Sequence, residues 1–254
     1  MIYANNAGTS WPKPPEVREA VAATLAAPPE EAPRLLAAAH EEIAGFLGVK
    51  DPARLLLTQG CTSALALAIG DLPWESGDVV VTSSLEHHAL ERPVAKLVRE
   101  RGVIHRAAPY RPGLPVDPGF VSGVLGEGRV RLVALTAASN VTGEILPVEE
   151  IAGMAHRHGA LCLVDAAQTA GLLPIDAERL GVDILVFAGH KGPLGPQGIG
   201  GLWAAPHVEF RSPAAACEIG GSRRADGACS PFPGYCDAGS ANVAGAAGLA
   251  AGMR

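Results

Sequence analysis

The chain has 254 residues, 48% of them hydrophobic and 18% charged, and a formal net charge of -6. That is enough apolar material for a sizeable buried core and too much for a disordered chain. The acids are scattered and basic runs are absent, which argues against a nucleic-acid or membrane-surface partner.

The first residues, MIYANNAG, form neither a basic nor an apolar leader, so a cytoplasmic protein is expected. RLLLT (54–58) is the first short apolar run, and TQGCTSALALAIG (58–70) passes from it through Gly60 into an alanine-rich helix. Amide donors at that helix start, with the hydroxyls of Thr62 and Ser63, form a cradle suited to phosphate, although every helix start needs partners for its amides. DVVVTS (78–83) leads into EHHALERP (86–93), which places Glu86, His87 and His88 at a strand end. An imidazole there can stack on a planar ligand, move a proton, or merely begin a solvated helix. No third ligand at metal spacing accompanies the pair, so no metal is expected.

RLVALT (131–136) runs towards Asn140, and VEEIAGMAHRHG (148–159) has apolar residues at 148, 151, 154 and 155, one face of a helix that stops at Gly159. LCLVDA (161–166) carries Asp165 at its end, with Gln168 one helical turn on. A buried carboxylate there either meets a cation, such as a protonated pyridine nitrogen, or caps a strand-to-helix turn. DILVFAG (183–189) leads to His190 and Lys191, one of four lysines in the chain. Flanked by Gly189 and Gly192, Lys191 is either a Schiff-base nucleophile or a lysine that snorkels out of a turn. Residues 212–240, rich in Gly, Pro, Ser and Ala, read as a long loop.

Near-continuous apolar strands separated by helical stretches indicate an α/β fold with a parallel sheet covered on both faces, and ligands in such sheets sit beyond the carboxyl ends of the strands. A phosphate cradle, a histidine, an asparagine, an aspartate and a lysine at successive strand ends together form the equipment of a pyridoxal phosphate site. A nucleotide-binding reading lacks its G-x-G-x-x-G fingerprint. The five cysteines (Cys61, Cys162, Cys217, Cys229, Cys236) are odd in number and without C-x-x-C spacing, so neither a disulfide framework nor a zinc site is expected.

On these residues the chain resembles the class V aminotransferase group of fold-type I pyridoxal phosphate enzymes, in its cysteine desulfurase and selenocysteine lyase-like branch. The likeness runs from IYANNAGTSWPKPPEV, through SNVTGEILPVEEIAGMAHRHGALCLVDAAQTAGLLPIDAERLGVDILVFAGHKGPLGPQGIGGLW, to DAGSANVAGAAGLAAG. It implies a large domain over residues 1–254 with a mainly parallel central sheet. Segments at about 1–15 and 241–254 lead to a C-terminal small domain that is expected to be truncated. It further implies pyridoxal 5′-phosphate as cofactor, held by Lys191 as a Schiff base, with Asp165 at the pyridine nitrogen and Gln168 at the ring oxygen. Asn140 lies at the same edge, His87 stacks on the ring with His88 in support, and Cys61, Thr62 and His190 hold the phosphate. Ser240 reaches the phosphate of a neighbouring subunit, which implies a homodimer.

The activity implied is cleavage of the C–S or C–Se bond of cysteine or selenocysteine, with a possible sulfur-acceptor protein. The alternatives are another class V aminotransferase or lyase, and a shortened homologue that binds cofactor or a partner without turnover. Departures from the family gather on the substrate side. Residues 27–42 lack the usual Asn-Pro and histidine pattern, Asn5 stands for an aspartate, and Ala188 stands for a hydroxyl residue. The small domain's substrate arginine and the mobile loop's cysteine, which in the family follow the Ala-Gly-Ser motif and its helix, are expected to be missing, and none of the five cysteines matches that nucleophile, Cys217, Cys229 and Cys236 all preceding the motif.

Overall fold

The computed structural model describes residues 2–114, 116–211, 225, 230–236 and 240–254. Helices α1 (Pro15–Ala26) and α2 (Ala32–Phe46) precede β1 (Leu55–Thr58), α3 (Cys61–Gly70), β2 (Val79–Ser83), α4 (His88–Arg101) and β3 (Ile104–Ala108). Then come α5 (Pro118–Gly126), β4 (Val130–Thr136), α6 (Val148–Arg157), β5 (Leu161–Asp165), β6 (Ile184–Ala188), β7 (Gly200–Ala204) and a last helix, α7 (Val243–Met253).

The strands form one sheet in the order β1-β7-β6-β5-β4-β2-β3. All neighbouring pairs are parallel except those of β7, which runs antiparallel to both β1 and β6. The sheet is therefore mainly parallel, as expected, with one reversed strand. GGLWA carries little strand signal because it begins with two glycines. Both are needed in place: a Cβ on Gly201 would come 2.5 Å from the Leu56 carbonyl oxygen, and one on Gly200 would come 2.9 Å from the Gly60 Cα. Strand β3 carries no clear strand signal either, because IHRAA is an exposed edge with His105 and Arg106 in its middle.

Strands β2, β5 and β6 are buried almost throughout, as their runs of Val, Leu and Ile require when helices cover both faces. Helix α6 lays Val148, Ile151, Ala152 and Ala155 on β4 and β5. Helix α7 has no polar face; its glycines and alanines let it pack closely on α1 and α2. A Cβ on Gly252 would come 2.3 Å from the Pro193 carbonyl oxygen, so α7 also presses on the turn that follows Lys191.

Candidate active site

Because β1, β2, β4, β5 and β6 point the same way, their carboxyl ends open on one side, where a cavity of about 600 Å³ lies. Cys61, Thr62, His87, Asn140, Asp165, Gln168, His190 and Lys191 all line it, although they are spread over 130 positions of sequence. Of the residues singled out by the sequence, Ser240 is exposed and does not line it. Cys236 does not line it either, and Cys217 and Cys229 lie outside the described residues. A second cavity of about 610 Å³ beside α6 is lined mainly by apolar groups such as Ile145, Leu146, Val164 and Leu173, with Glu149 and Glu150, and among the described residues by no lysine, histidine or cysteine.

At the floor, Asp165 ends β5 and is 3% exposed. Its Oδ1 accepts the Ala167 amide at 2.8 Å and the Cys61 thiol at 3.3 Å, while Oδ2 receives no hydrogen bond from the described residues. Burial raises its pKa, against the pull of the Ala167 amide, Cys61, Lys191 and, when protonated, His87. Burial and the neighbouring Asp165 charge push the Cys61 thiol well up, so it donates to the aspartate as a thiol. A further cation at Oδ2 would satisfy what the protein leaves open.

The wall opposite is the start of α3. Gly60 holds φ 154°, a region open in practice to glycine, and its own cap position gives the helix no side-chain hydrogen bond. The Ser63 hydroxyl turns back to the Gly60 carbonyl at 2.9 Å. Among the described residues, the amides of Cys61 and Thr62 and the Thr62 hydroxyl have no hydrogen-bond partner, an arrangement suited to an anion.

His87 caps α4, with Nδ1 accepting the Ala89 amide at 3.1 Å, which leaves the ring proton on Nε2. Burial, His88 and Lys191 lower its pKa, so the ring is neutral at pH 7. Its ring lies 3.9 Å from that of His88. Gln168 donates its amide nitrogen to the Ala7 carbonyl at 3.1 Å.

The backbone under Lys191 is held by a clamp that no local sequence signal announces. The His190 carbonyl accepts the Ser10 amide at 3.0 Å, the Ser10 hydroxyl at 3.0 Å, the Thr9 hydroxyl at 3.2 Å and Lys13 Nζ at 2.8 Å. His190 Nδ1 also meets Thr9 Oγ1 at 2.9 Å. Burial, Lys191 and Lys13 lower the pKa of His190, and burial lowers that of Lys13.

Glu86, named by the sequence as part of a strand end but given no role there, is 8% exposed beneath the site. Its carboxyl accepts the Thr136 amide at 2.7 Å and the Ser83 amide at 3.3 Å and bonds the Ser83 hydroxyl. Burial raises its pKa to about 8.

The aminotransferase class V family model matches residues 2–254. A probable cysteine desulfurase of Methanothermobacter thermautotrophicus is 37% identical over 225 residues, 87% of this chain and 55% of that protein. A probable cysteine desulfurase of Pseudomonas aeruginosa is 38% identical over 71% of this chain and 45% of its own length. The chain spans about half the length of these two relatives. Among solved structures, the apo cysteine desulfurase of Thermococcus onnurineus NA1 superposes with a TM-score of 0.89 at 30% identity, over all of this chain and 66% of that one. A variant of C-DES with glycine covalently linked to its PLP cofactor superposes at 0.86, with 26% identity, over 99% of this chain and 70% of that one.

Proposed function

This chain belongs to the class V aminotransferases, in their cysteine desulfurase-like branch, and from that membership we propose that it is the cofactor-bearing large domain of a pyridoxal 5′-phosphate enzyme acting on cysteine or selenocysteine. The observation that carries the reading is the meeting, in one cavity, of a lysine amine, a buried carboxyl with an open oxygen and a helix start with uncommitted amides. This donor set fits the cofactor's three handles: an aldehyde, a basic ring nitrogen and a phosphate.

When bound, pyridoxal phosphate supplies an electron sink for the bonds broken at the substrate. Lys191 offers the amine that anchors its aldehyde and afterwards moves a proton at the substrate carbon. Asp165, whose Oδ2 receives no hydrogen bond from the described residues, would hold the pyridine nitrogen in its protonated state. Cys61, Thr62 and His190 take the phosphate. The neutral His87 would stack on the ring, and Gln168 and Asn140 would hydrogen-bond at the ring-oxygen edge. Ser240 serves the phosphate of a second copy, so the working unit is a homodimer in the cytoplasm, passing sulfur to an acceptor. Among the described residues no helix is long and apolar enough to cross a membrane.

The test is a visible spectrum of purified protein with pyridoxal phosphate beside that of Lys191→Ala. The expected result is a band in the wild type that borohydride abolishes and the variant lacks; identical spectra sink the reading. Sulfide released from added cysteine supports the desulfurase branch, and keto acid from other amino acids points instead to a transaminase.

A further inference from the structure

We propose that Glu86 is a positioning residue for this site, tying the turn that carries His87 to the end of β4 beside Asp165. The inference rests on the reading of the cavity given above, but its geometry is independent of any cofactor. In β4, successive amides near the carboxyl end point to opposite sides. The Ala137 amide donates to the Asp165 carbonyl at 2.9 Å, towards β5. The Thr136 amide faces the other way, past the point where β2 has ended at Ser83, and it is the Glu86 carboxyl that accepts it. The side chain therefore continues the β2 ladder after the backbone has left the sheet.

On its other oxygen the same carboxyl binds the amide and the hydroxyl of Ser83, and that hydroxyl accepts the Leu85 amide at 3.1 Å. Residues 83–86 are thereby closed into one hydrogen-bonded turn, and the next residue is His87. Thr136 and Asp165 stand opposite each other in the β4–β5 register, and both line the cavity. One buried carboxyl thus sets where the His87 ring leaves the backbone and where the strand next to Asp165 ends.

Its protonation state supports this role. From β2 and β4 Glu86 meets Ser83 and the Thr136 amide, and from β5 it feels the charge of Asp165, which His87 and Lys191 face in turn. With a pKa of about 8 the group is mostly neutral at pH 7, so it ties the strands together without setting a second buried anion beside Asp165. The folded-state pKa lies above the unfolded one. Glu86 accordingly contributes stability that is lost as pH rises from the ordinary glutamate range through about 8, on top of the loss in the same direction from the raised pKa of Asp165.

The experiment compares wild type, Glu86→Gln and Glu86→Ala without cofactor. Melting is followed from pH 5 to pH 8.5, and the His87 ring is titrated by NMR. Glu86→Gln, neutral at every pH, is expected to flatten the melting slope and keep the His87 midpoint. Glu86→Ala is expected to shift the His87 midpoint upward and, with pyridoxal phosphate added, to raise its dissociation constant about tenfold. A slope in Glu86→Gln equal to that of wild type overturns the proposal, and so does an unmoved His87 midpoint in a folded Glu86→Ala. If Glu86→Ala does not fold, the Glu86→Gln slope decides. Failure of wild type to bind pyridoxal phosphate strikes the cofactor reading and leaves these cofactor-free measurements standing.

Discussion

The two ends of the sheet treat buried acids in opposite ways. At the amino end, Asp183 precedes β6 and is 2% exposed, with every oxygen committed: Oδ1 to His207 Nε2 at 2.7 Å, and Oδ2 to His156 Nε2 at 2.9 Å and the Cys162 amide at 2.6 Å. Asp78, just before β2, bonds Arg131 at 2.6 Å, the Glu75 amide at 2.8 Å and Arg129 at 3.4 Å. At the carboxyl end, Asp165 has a thiol and one amide, both on the same oxygen, and among the described residues Glu86 has no cation in contact. Where an acid serves the fold, its partners are supplied by the chain. Where the cavity opens, Asp165 keeps an oxygen unused, and behind it Glu86 is bonded only to uncharged groups; burial then raises both pKa values.

Substituting the two fully buried strand-end aspartates is the sharpest way to break this contrast. Asp165→Ala is expected to cut amino-acid turnover by at least about 100-fold. Its cofactor-free melting should change by no more than about 1 kcal/mol, because the carboxylate removed is under-paired. Asp183→Ala is expected to cost about 3 kcal/mol of stability, since it strands the Cys162 amide and undoes both imidazole contacts, with cofactor affinity unchanged in the protein that remains folded. Urea melts and cofactor titrations on both variants check the pair. Equal stability losses would end the distinction.

A smaller effect is expected at Asp78. Burial pushes its carboxyl up, but the Glu75 amide and the Arg131 and Arg129 guanidiniums outweigh this and hold it below the ordinary range. Its contribution is therefore present above the usual aspartate pKa and lost as pH falls through the lower folded value. Arg131→Ala should cost about 1–2 kcal/mol at pH 7 and reduce the loss of stability on acidification, read from melts between pH 5 and pH 2. Glu86 acts at the opposite edge of the pH range, so the two ends of the sheet limit stability from opposite sides.

The smallest effect belongs to the clamp. Lys13→Met removes one of four donors to the His190 carbonyl, and the remaining three keep the turn in place. A weakening of pyridoxal phosphate binding by about threefold, measured by titration, is the expected result. No change at all would make the clamp a feature of the fold alone.

Much of this was legible in the residues. Apolar runs ending in Ser83, Thr136, Asp165 and Ala188 marked buried strands, and a polar or charged group just past each end marked the side on which a ligand sits. Lys191, His87, Asn140 and Asp165 could be named because each stands beside its own strand, where local pattern and position coincide. Glu86 was visible only as a neighbour of two histidines, since its partner Thr136 lies 50 residues away. Thr9, Ser10 and Lys13 carried no signal, because the carbonyl they hold lies 177 to 181 residues further on.

By itself the sequence determined the class of fold, the strands that alternate with helices and the types of group at their ends, because hydrophobic period and turn chemistry are local properties. Tertiary structure alone decided that β7 runs backwards between β1 and β6, bringing Gly200 against Gly60 beneath the cradle. It alone decided which buried acids are fully paired and which are left open to the cavity. Pairing of that kind depends on strand order and register, through which groups remote in the chain come within hydrogen-bond reach.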